Sequence, residues 1–436
     1  MKALQVGLAG FGTVGAGVAQ ILLEEAAWVE RRTGMPLRLR CIADLDLERD
    51  RGLCLEGVAL TRDAHSLCRD PQIHVLIELI GGVEPARTLV LEALANGKHV
   101  ITANKALLAA HGGEIFQAAA SAGVHVGFEA SVGGGVPILR CIREGLAADR
   151  IVSMAGIING TANYILSAME EKGLDFPECL REAQAKGYAE ADPSLDIEGQ
   201  DTAHKLAILV ALAHGVQIRP EQIFTEGIQH ITGRDIRYAR ELGYCIKLLA
   251  ICVARGQELA VRVHPTMIPC QHMLAKVNQA FNAVYVTGVH SGPVMFYGQG
   301  AGRMPTAAAV AGDLVDLGRS IGSGCTRRPH PLGFYQDIQP RPALRSTEDL
   351  VTNYYLRFPV ADQPGVLARI AGVLGAHEIS IHSVIQQGRR GRGPVHVIIL
   401  THEALERNVQ AALREINPLE VMRSPALLVR IEHAVD

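Results

Sequence analysis

Gly10-Phe11-Gly12-Thr13-Val14-Gly15 follows the apolar run Ala3-Leu4-Gln5-Val6-Gly7-Leu8-Ala9 and opens a helical stretch from Thr13 to Arg32. A short apolar run that ends on glycines reads as a buried parallel strand more readily than as a helix. In a strand–turn–helix setting each glycine has a task. Gly10 permits the tight turn, Gly12 lets backbone approach a pyrophosphate, and Gly15 lets helix and strand pack closely. The first amides of the helix and its positive dipole end attract phosphate. Phe11, Thr13 and Val14 complete this dinucleotide-binding loop. The bland alternative is a glycine-rich turn with no ligand.

Further along, the strand Leu37 to Ala43 ends at Asp44. A carboxylate there accepts from the ribose 2′-OH of NAD and repels the 2′-phosphate of NADP. Asp44 lies beyond the usual spacing of about 20 residues, so the first helix or its loop is expected to be extended. Leu45 rather than arginine follows, which leans towards NAD, while Arg40, Arg49 and Arg51 keep NADP open. The alternative for Asp44 is a solvated strand-end carboxylate. Val75 to Ile80 reads as a strand, Val90 to Ala95 as helix, and His99 to Thr102 as a strand after the Asn96-Gly97 turn. This alternation predicts an α/β fold with a doubly wound parallel sheet over residues 1–130.

The pattern changes at Gly133-Gly134-Gly135-Val136-Pro137. Strand-like runs (Ile151 to Ile158, Ala260 to Val263, Asn282 to Val289) and helical runs (Thr161 to Lys172, Ile197 to His214) predict an α+β domain over 131–302. The helical run Pro305 to Ile321 is expected to return to the first domain, within 303–325. Prolines 329, 331, 340 and 342 mark a linker over 326–350. Residues 351–436 read as strand, helix, two strands, helix and strand, the order of a small ferredoxin-like unit.

Length alone argues for several domains: 436 residues exceed one compact core. A net charge of -3 supplies no basic field for nucleic acid or an anionic membrane. No uncharged apolar run is long enough to span a bilayer, and the first strand begins at once, with no leader expected ahead of it. The nine cysteines contain no C-x-x-C pair, which fits a reducing, cytoplasmic setting. The 17 histidines form no H-E-x-x-H, so no catalytic zinc is expected.

Four more segments carry a family resemblance: Thr102-Ala103-Asn104-Lys105; Glu129-Ala130-Ser131-Val132-Gly133-Gly134-Gly135-Val136-Pro137-Ile138; Ile158-Asn159-Gly160-Thr161-Ala162-Asn163; and the block from Gly187-Tyr188-Ala189-Glu190-Ala191-Asp192 to Asp201-Thr202-Ala203-His204-Lys205. With the glycine loop they resemble homoserine dehydrogenases over residues 1–330. The tail, with Asp362-Gln363-Pro364-Gly365-Val366-Leu367, looks like an ACT domain. No kinase-like segment comes first, so the resemblance is to the monofunctional form. It implies a Rossmann domain, a substrate-binding and oligomerisation domain, and a regulatory ACT domain.

The activity so implied is reversible NAD- or NADP-dependent interconversion of L-homoserine and L-aspartate 4-semialdehyde, towards threonine, methionine and isoleucine. The resemblance makes Lys205 the acid/base and Lys105 its partner near substrate and nicotinamide. Two lysines converging on one substrate are expected to lower each other's pKa. Glu190 and Asp201 become ligands of the amino-acid substrate, Asp196 a supporting group and Gly187 a backbone contact. An ordinary i,i+4 salt bridge between Asp201 and Lys205 is the plainer reading. Thr102 and Gly302 join the cofactor set. Gln299 stands where family members commonly have proline. Glu129, Val132, Gly134 and Val136 resemble a monovalent-cation (sodium) site, against the alternative of a glycine-rich hinge with a capping glutamate. Asn159, Thr161 and Asn163 either orient substrate or cap a helix. The resemblance further implies a homodimer or homotetramer and threonine as ACT effector, or else a dimerisation module without ligand. The competing assignments are another amino-acid-pathway dehydrogenase, which would lack the Glu190-to-Lys205 block, and a non-catalytic amino-acid-binding regulator, which would have lost a lysine.

Overall fold

The computed structural model describes residues 3–325, 330–334, 343–386 and 395–433. The first sheet is parallel: β1 (Leu4–Ala9), β2 (Leu37–Ala43), β3 (Ala59–Thr61), β4 (Val75–Glu78), β5 (His99–Thr102) and β6 (Val126–Gly127) lie in the order β3-β2-β1-β4-β5-β6. Val6, Leu8, Val75, Leu76, Ile77, Val100 and Ile101 are fully buried, as strands covered on both faces require. The order reverses between β1 and β4, and the carboxyl edge there is where such sheets bind ligands.

The stretch Thr13 to Arg32 is two helices, Thr13–Glu24 and Ala26–Thr33, rather than one. The chain kinks at Glu25, and the second helix buries Val29 and Thr33 before closing on Gly34 with φ 81°. The helix Arg303–Gly322 packs along the first. A Cβ on Gly17 would stand 2.9 Å from Ala307 Cβ, and one on Gly318 2.4 Å from Thr33 Cγ2, so glycine permits both approaches.

The second sheet contains β7 (Ile151–Ile157), β8 (Phe224–Thr225), β9 (Tyr244–Arg255), β10 (Glu258–Pro269), β11 (Phe281–Gly288) and β12 (Gly292–Gln299), with the core order β12-β11-β7-β9-β10. Of the long β9–β10 hairpin, only Ala260 to Val263 falls within an expected strand. Tyr-Cys-Ile-Lys-Leu-Leu-Ala-Ile-Cys-Val is buried almost throughout, so no alternation marks it. The helix expected from Ile197 is broken: Ser194–Ile197 is a short turn, and Gln200–His214 starts after Gly199 at φ 85°.

This sheet continues into the C-terminal unit. After β13 (Ala343–Leu344), which pairs with β10, come β14 (Val351–Val360), β15 (Ile381–Gln386), β16 (Val395–Thr401), β17 (Ala404–Leu405) and β18 (Leu427–Ile431). Their order, β18-β14-β16-β15, with helices Val366–Ala376 and Glu406–Ile416, is ferredoxin-like. β18 joins β10 in parallel through Thr266–Arg430 and Met267–Ile431. Most of the expected linker, 326–329 and 335–342, lies outside the described residues. Among the described residues, no helix is long and apolar enough to cross a membrane.

Candidate active site

The glycine loop leaves β1 at the carboxyl edge of the parallel sheet. Gly10 has φ 95°, and a Cβ there would stand 2.5 Å from Leu79 O; one on Gly15 would stand 2.0 Å from Gly10 O. Both positions therefore admit only glycine. Around Gly12 a Cβ would meet nothing within 4 Å, so the turn's outer side, with Thr13 and Val14 heading the helix, is open to a pyrophosphate. The Asp44 carboxylate reaches this turn: it accepts from the Phe11 amide, and its other oxygen accepts from Asp46 N at 2.8 Å. Arg51 lies over the Phe11 ring at 4.8 Å and donates to Phe11 O at 3.0 Å. Arg40 instead pairs with Asp70 at 3.0 Å. The turn is therefore flanked by one carboxylate and one guanidinium.

Lys105 heads the helix Lys105–Ala122, which starts where β5 ends on the same edge. Thr102 does not offer its hydroxyl to this side. It donates to the fully buried Glu78 at 2.6 Å and accepts from Asn104 N at 2.9 Å. Asn104 caps the helix by accepting from Leu107 N at 3.1 Å. The buried Glu78 went unread in the sequence, since a lone acid at a strand end carries no distinguishing pattern.

The centre of the site is one carboxylate between two amines. Asp201 Oδ1 lies 2.9 Å from Lys105 Nζ, and Asp201 Oδ2 accepts from Lys205 Nζ at 2.7 Å. Lys105 heads the helix after β5, whereas Asp201 and Lys205 lie on the helix Gln200–His214, so this carboxylate links the two helices. Lys205 also donates to Ile158 O at 2.8 Å, and its side chain is only 13% exposed. Asn159 both caps and orients. Its Oδ1 accepts from Ala162 N at 2.7 Å, while its Nδ2 donates to Asp196 Oδ1 at 2.7 Å and Asp201 Oδ2 at 2.8 Å. Asn163 and Thr161 are used structurally, on Val277, Gln279 and Phe281 carbonyls and on Tyr188 O respectively.

Burial pushes the Asp201 carboxyl up, but Lys205 and Lys105 outweigh it and hold the group far below the ordinary carboxylate range. Lys105 departs from expectation. Desolvation lowers its pKa, yet Asp201, then Asp196 and Glu190, pull harder, and the net shift is upward. A carboxylate stands between the amines, so mutual repulsion does not govern. Glu190 and Asp196 are thus close enough to act on Lys105. Gly187, at φ 74°, has open space around it, which suits a backbone contact.

Glu129 is buried at the junction of the two domains. Its carboxylate accepts from Leu139 N at 3.0 Å and Arg140 N at 2.8 Å, and its own amide donates to Asp313 Oδ2 at 2.9 Å. Burial, then the Asp313 carboxylate, push Glu129 up to about 7. Arg140, which pairs with Asp313 at 3.2 Å, offsets this in part, and the Glu129 carboxylate also holds the turn after Pro137. Of the carbonyls, Val136 O already accepts from Ile138 N at 2.8 Å. Gly134 lies against Gly300 O, 2.5 Å from where its Cβ would be, and Gly135 N donates to Gln299 O at 3.0 Å. Gln299 thus closes the hinge through its backbone. Gly302, at φ 124°, precedes the Arg303 helix on this same loop. Asp313, missed in the sequence, comes from that distant helix.

The models for homoserine dehydrogenase and for the homoserine dehydrogenase NAD binding domain match residues 137–315 and 10–129. The homoserine dehydrogenase of Neisseria gonorrhoeae is 42% identical over 436 residues, covering 100% of both chains. The chain belongs to the homoserine dehydrogenase family. A homoserine dehydrogenase crystal structure from Thiobacillus denitrificans superposes with a TM-score of 0.93 at 47% identity, covering 99% of each chain. A hyperthermophilic archaeal homoserine dehydrogenase in complex with NADPH gives a TM-score of 0.62 at 25% identity, over 72% of this chain and 98% of that one. Residues 354–421 match the ACT domain. As a homoserine dehydrogenase, the chain is an NAD(P)-dependent oxidoreductase of a CH–OH group, interconverting L-homoserine and L-aspartate 4-semialdehyde.

Proposed function

We propose that Lys205 moves the proton of this reaction and that Lys105, Glu190, Asp196 and Asp201 hold the amino-acid substrate beside it. The observation that supports this reading is the single Asp201 carboxylate shared by Lys105 and Lys205. Gly10, Phe11, Gly12, Thr13, Val14, Gly15, Asp44 and the backbone at Thr102 and Gly302 would hold the dinucleotide, which would supply or take up hydride at substrate C4. An ammonium has three donors. Asp201 and Ile158 O take two from Lys205, leaving one N–H for the substrate oxygen. In reduction the Lys205 ammonium donates that proton as charge grows on the oxygen; in oxidation the neutral amine takes it back. The Asp196 and Glu190 carboxylates suit the substrate ammonium, and Gly187 approaches by backbone.

Asp196→Asn or Glu190→Gln is expected to raise KM for homoserine roughly 10–100-fold by removing a charge-assisted hydrogen bond, with KM for the nucleotide unchanged. Initial rates followed at the NAD(P)H absorbance measure both. A shift in the nucleotide KM alone would remove these acids from the substrate cradle.

The division at 1–130 with 303–325, 131–302, 326–350 and 351–436 is our reading of the domains. Glu129 with the carbonyls of Val132, Gly134 and Val136 would hold a sodium ion, whose charge would fix the domain junction. A homodimer or homotetramer in the cytoplasm fits the family and the nine cysteines without a C-x-x-C pair. Threonine is the effector we assign to the ACT domain. L-Threonine at about millimolar concentration, which corresponds to roughly 4 kcal/mol of binding free energy, should inhibit homoserine oxidation. Unchanged rates together with no binding heat would sink that assignment.

A further inference from the structure

Arg430 lies on β18 of the C-terminal unit, 0% exposed, and spans two carboxylates. Its Nε and Nη2 donate to Glu406 at 2.9 and 2.6 Å, inside the C-terminal unit. Its Nη1 donates across the boundary to Glu226 at 2.6 Å, and its guanidinium covers the Phe224 ring at 4.8 Å. Both carboxylates offset the desolvation of the buried guanidinium, Glu226 foremost and Glu406 next. Glu226 is itself 39% exposed, which alone would make it an ordinary half-surface ion pair.

Its backbone gives it a different place. Glu226 N donates to Val263 O at 2.8 Å, fixing it on β10. The next two residues lie against the 197–199 turn that precedes the catalytic helix. Ile228 N donates to Ile197 O at 2.8 Å. A Cβ on Gly227 would stand 2.3 Å from Ile197 O and 2.7 Å from Glu198 Cα, so the two segments touch backbone to backbone. A Cβ on Gly199 would lie 3.0 Å from Thr225 Cγ2 and 3.4 Å from Glu226 O. Gly199 is the left-handed residue from which the helix bearing Asp201 and Lys205 departs.

We propose that Glu226 is a positioning residue: clamped by Arg430 of the ACT unit, it seats the 197–199 turn and so sets where Asp201 and Lys205 meet Lys105. The proposal rests on the reading of Lys205 and Asp201 given above. The clamp thus links β18 to the turn before the catalytic helix through the backbone contacts of Gly227 and Ile228. Energetic coupling of this kind requires a measured interaction and not mere adjacency.

The experiment uses the full-length enzyme with four variants, Glu226→Ala, Glu226→Gln, Arg430→Lys and the double variant Glu226→Ala/Arg430→Lys. Kinetics for homoserine and nucleotide, the pH–rate profile and the thermal midpoint are measured for each. Glu226→Ala is expected to lower kcat/KM for homoserine about tenfold, since small misplacements of reacting groups are costly. It should move the pH profile and leave the nucleotide KM within about twofold. Glu226→Gln, which keeps an acceptor for Arg430, should recover most of the loss. The double variant should be no worse than the poorer single one. Wild-type kinetics and pH profile in folded Glu226→Ala, whatever its thermal midpoint, overturn the proposal, and so does strict additivity of the pair. If Arg430→Lys fails to fold, Glu226→Ala and Glu226→Gln still decide. Lys205→Ala in parallel separates the two readings: an active Lys205→Ala enzyme refutes the assigned acid/base, whereas an inactive one beside a wild-type-like Glu226→Ala refutes only the clamp.

Discussion

Lys205→Ala should lower kcat by about a thousandfold while the fold persists, the range expected on removing a general acid/base. The side chain is held at both of its contacts: Asp201 Oδ2 at 2.7 Å and Ile158 O at 2.8 Å. Alanine removes the amine without filling the space, and Asp201 keeps Lys105 and Asn159 as partners. The folded state should therefore survive with a modest loss, and circular dichroism with a thermal scan will show it. Nucleotide affinity should stay near wild type, since the glycine loop lies on another domain. Near-normal turnover by this variant would remove Lys205 from the chemistry. Lys205→Arg is a poor rescue, because a guanidinium does not give up its proton in this pH range.

Asp201→Asn should be the second large loss, about a hundredfold or more in kcat/KM, with a distinctive change in pH dependence. The isosteric amide leaves two ammonium groups facing each other without their shared anion. Breaking a buried pair by removing one partner costs about 3 kcal/mol of stability. The pH signature follows from Lys105. Asp201 is the strongest of the carboxylates that raise its pKa against desolvation. Without it the Lys105 pKa falls. A step that needs Lys105 protonated is competent below that pKa, so the alkaline limb of kcat/KM should move to lower pH. The wild-type enzyme should also show the acid side of the linkage. Asp201 is depressed in the folded state, so its stabilisation is fully present above the unfolded value near 3.8 and is lost as pH falls through the folded one. Stability of Asp201→Asn should accordingly be flatter between about pH 5 and 2 than that of wild type. An unchanged alkaline limb would show that Asp201 does not tune Lys105.

Much of the fold was legible because its signals are local. The strand before Gly10, the glycines at fixed offsets and the Asn96-Gly97 turn each depend on neighbours a few residues away. Where local reading failed, a long-range term had won. The break at Gly199 is decided by Thr225, Val263 and Glu226 packing on it, and nothing near Gly199 in the sequence announces them. β9 is buried so fully that its pattern loses the alternation by which strands are found.

The same division runs through the site. The chain order of residue types, above all the block from Gly187 to Lys205, determined by itself which groups are available: two lysines, three acids and a phosphate-binding turn. Tertiary structure decided how they pair. Asp201 stands between the two amines, so Lys105 shifts up and not down. Asp313, across a separation of 184 residues, holds the Glu129 amide, and Arg430 reaches from the last strand to the segment under the catalytic helix. Residue identity sets charge and donor count, but the sign of a pKa shift depends on distance and burial, which exist only once remote segments have packed together.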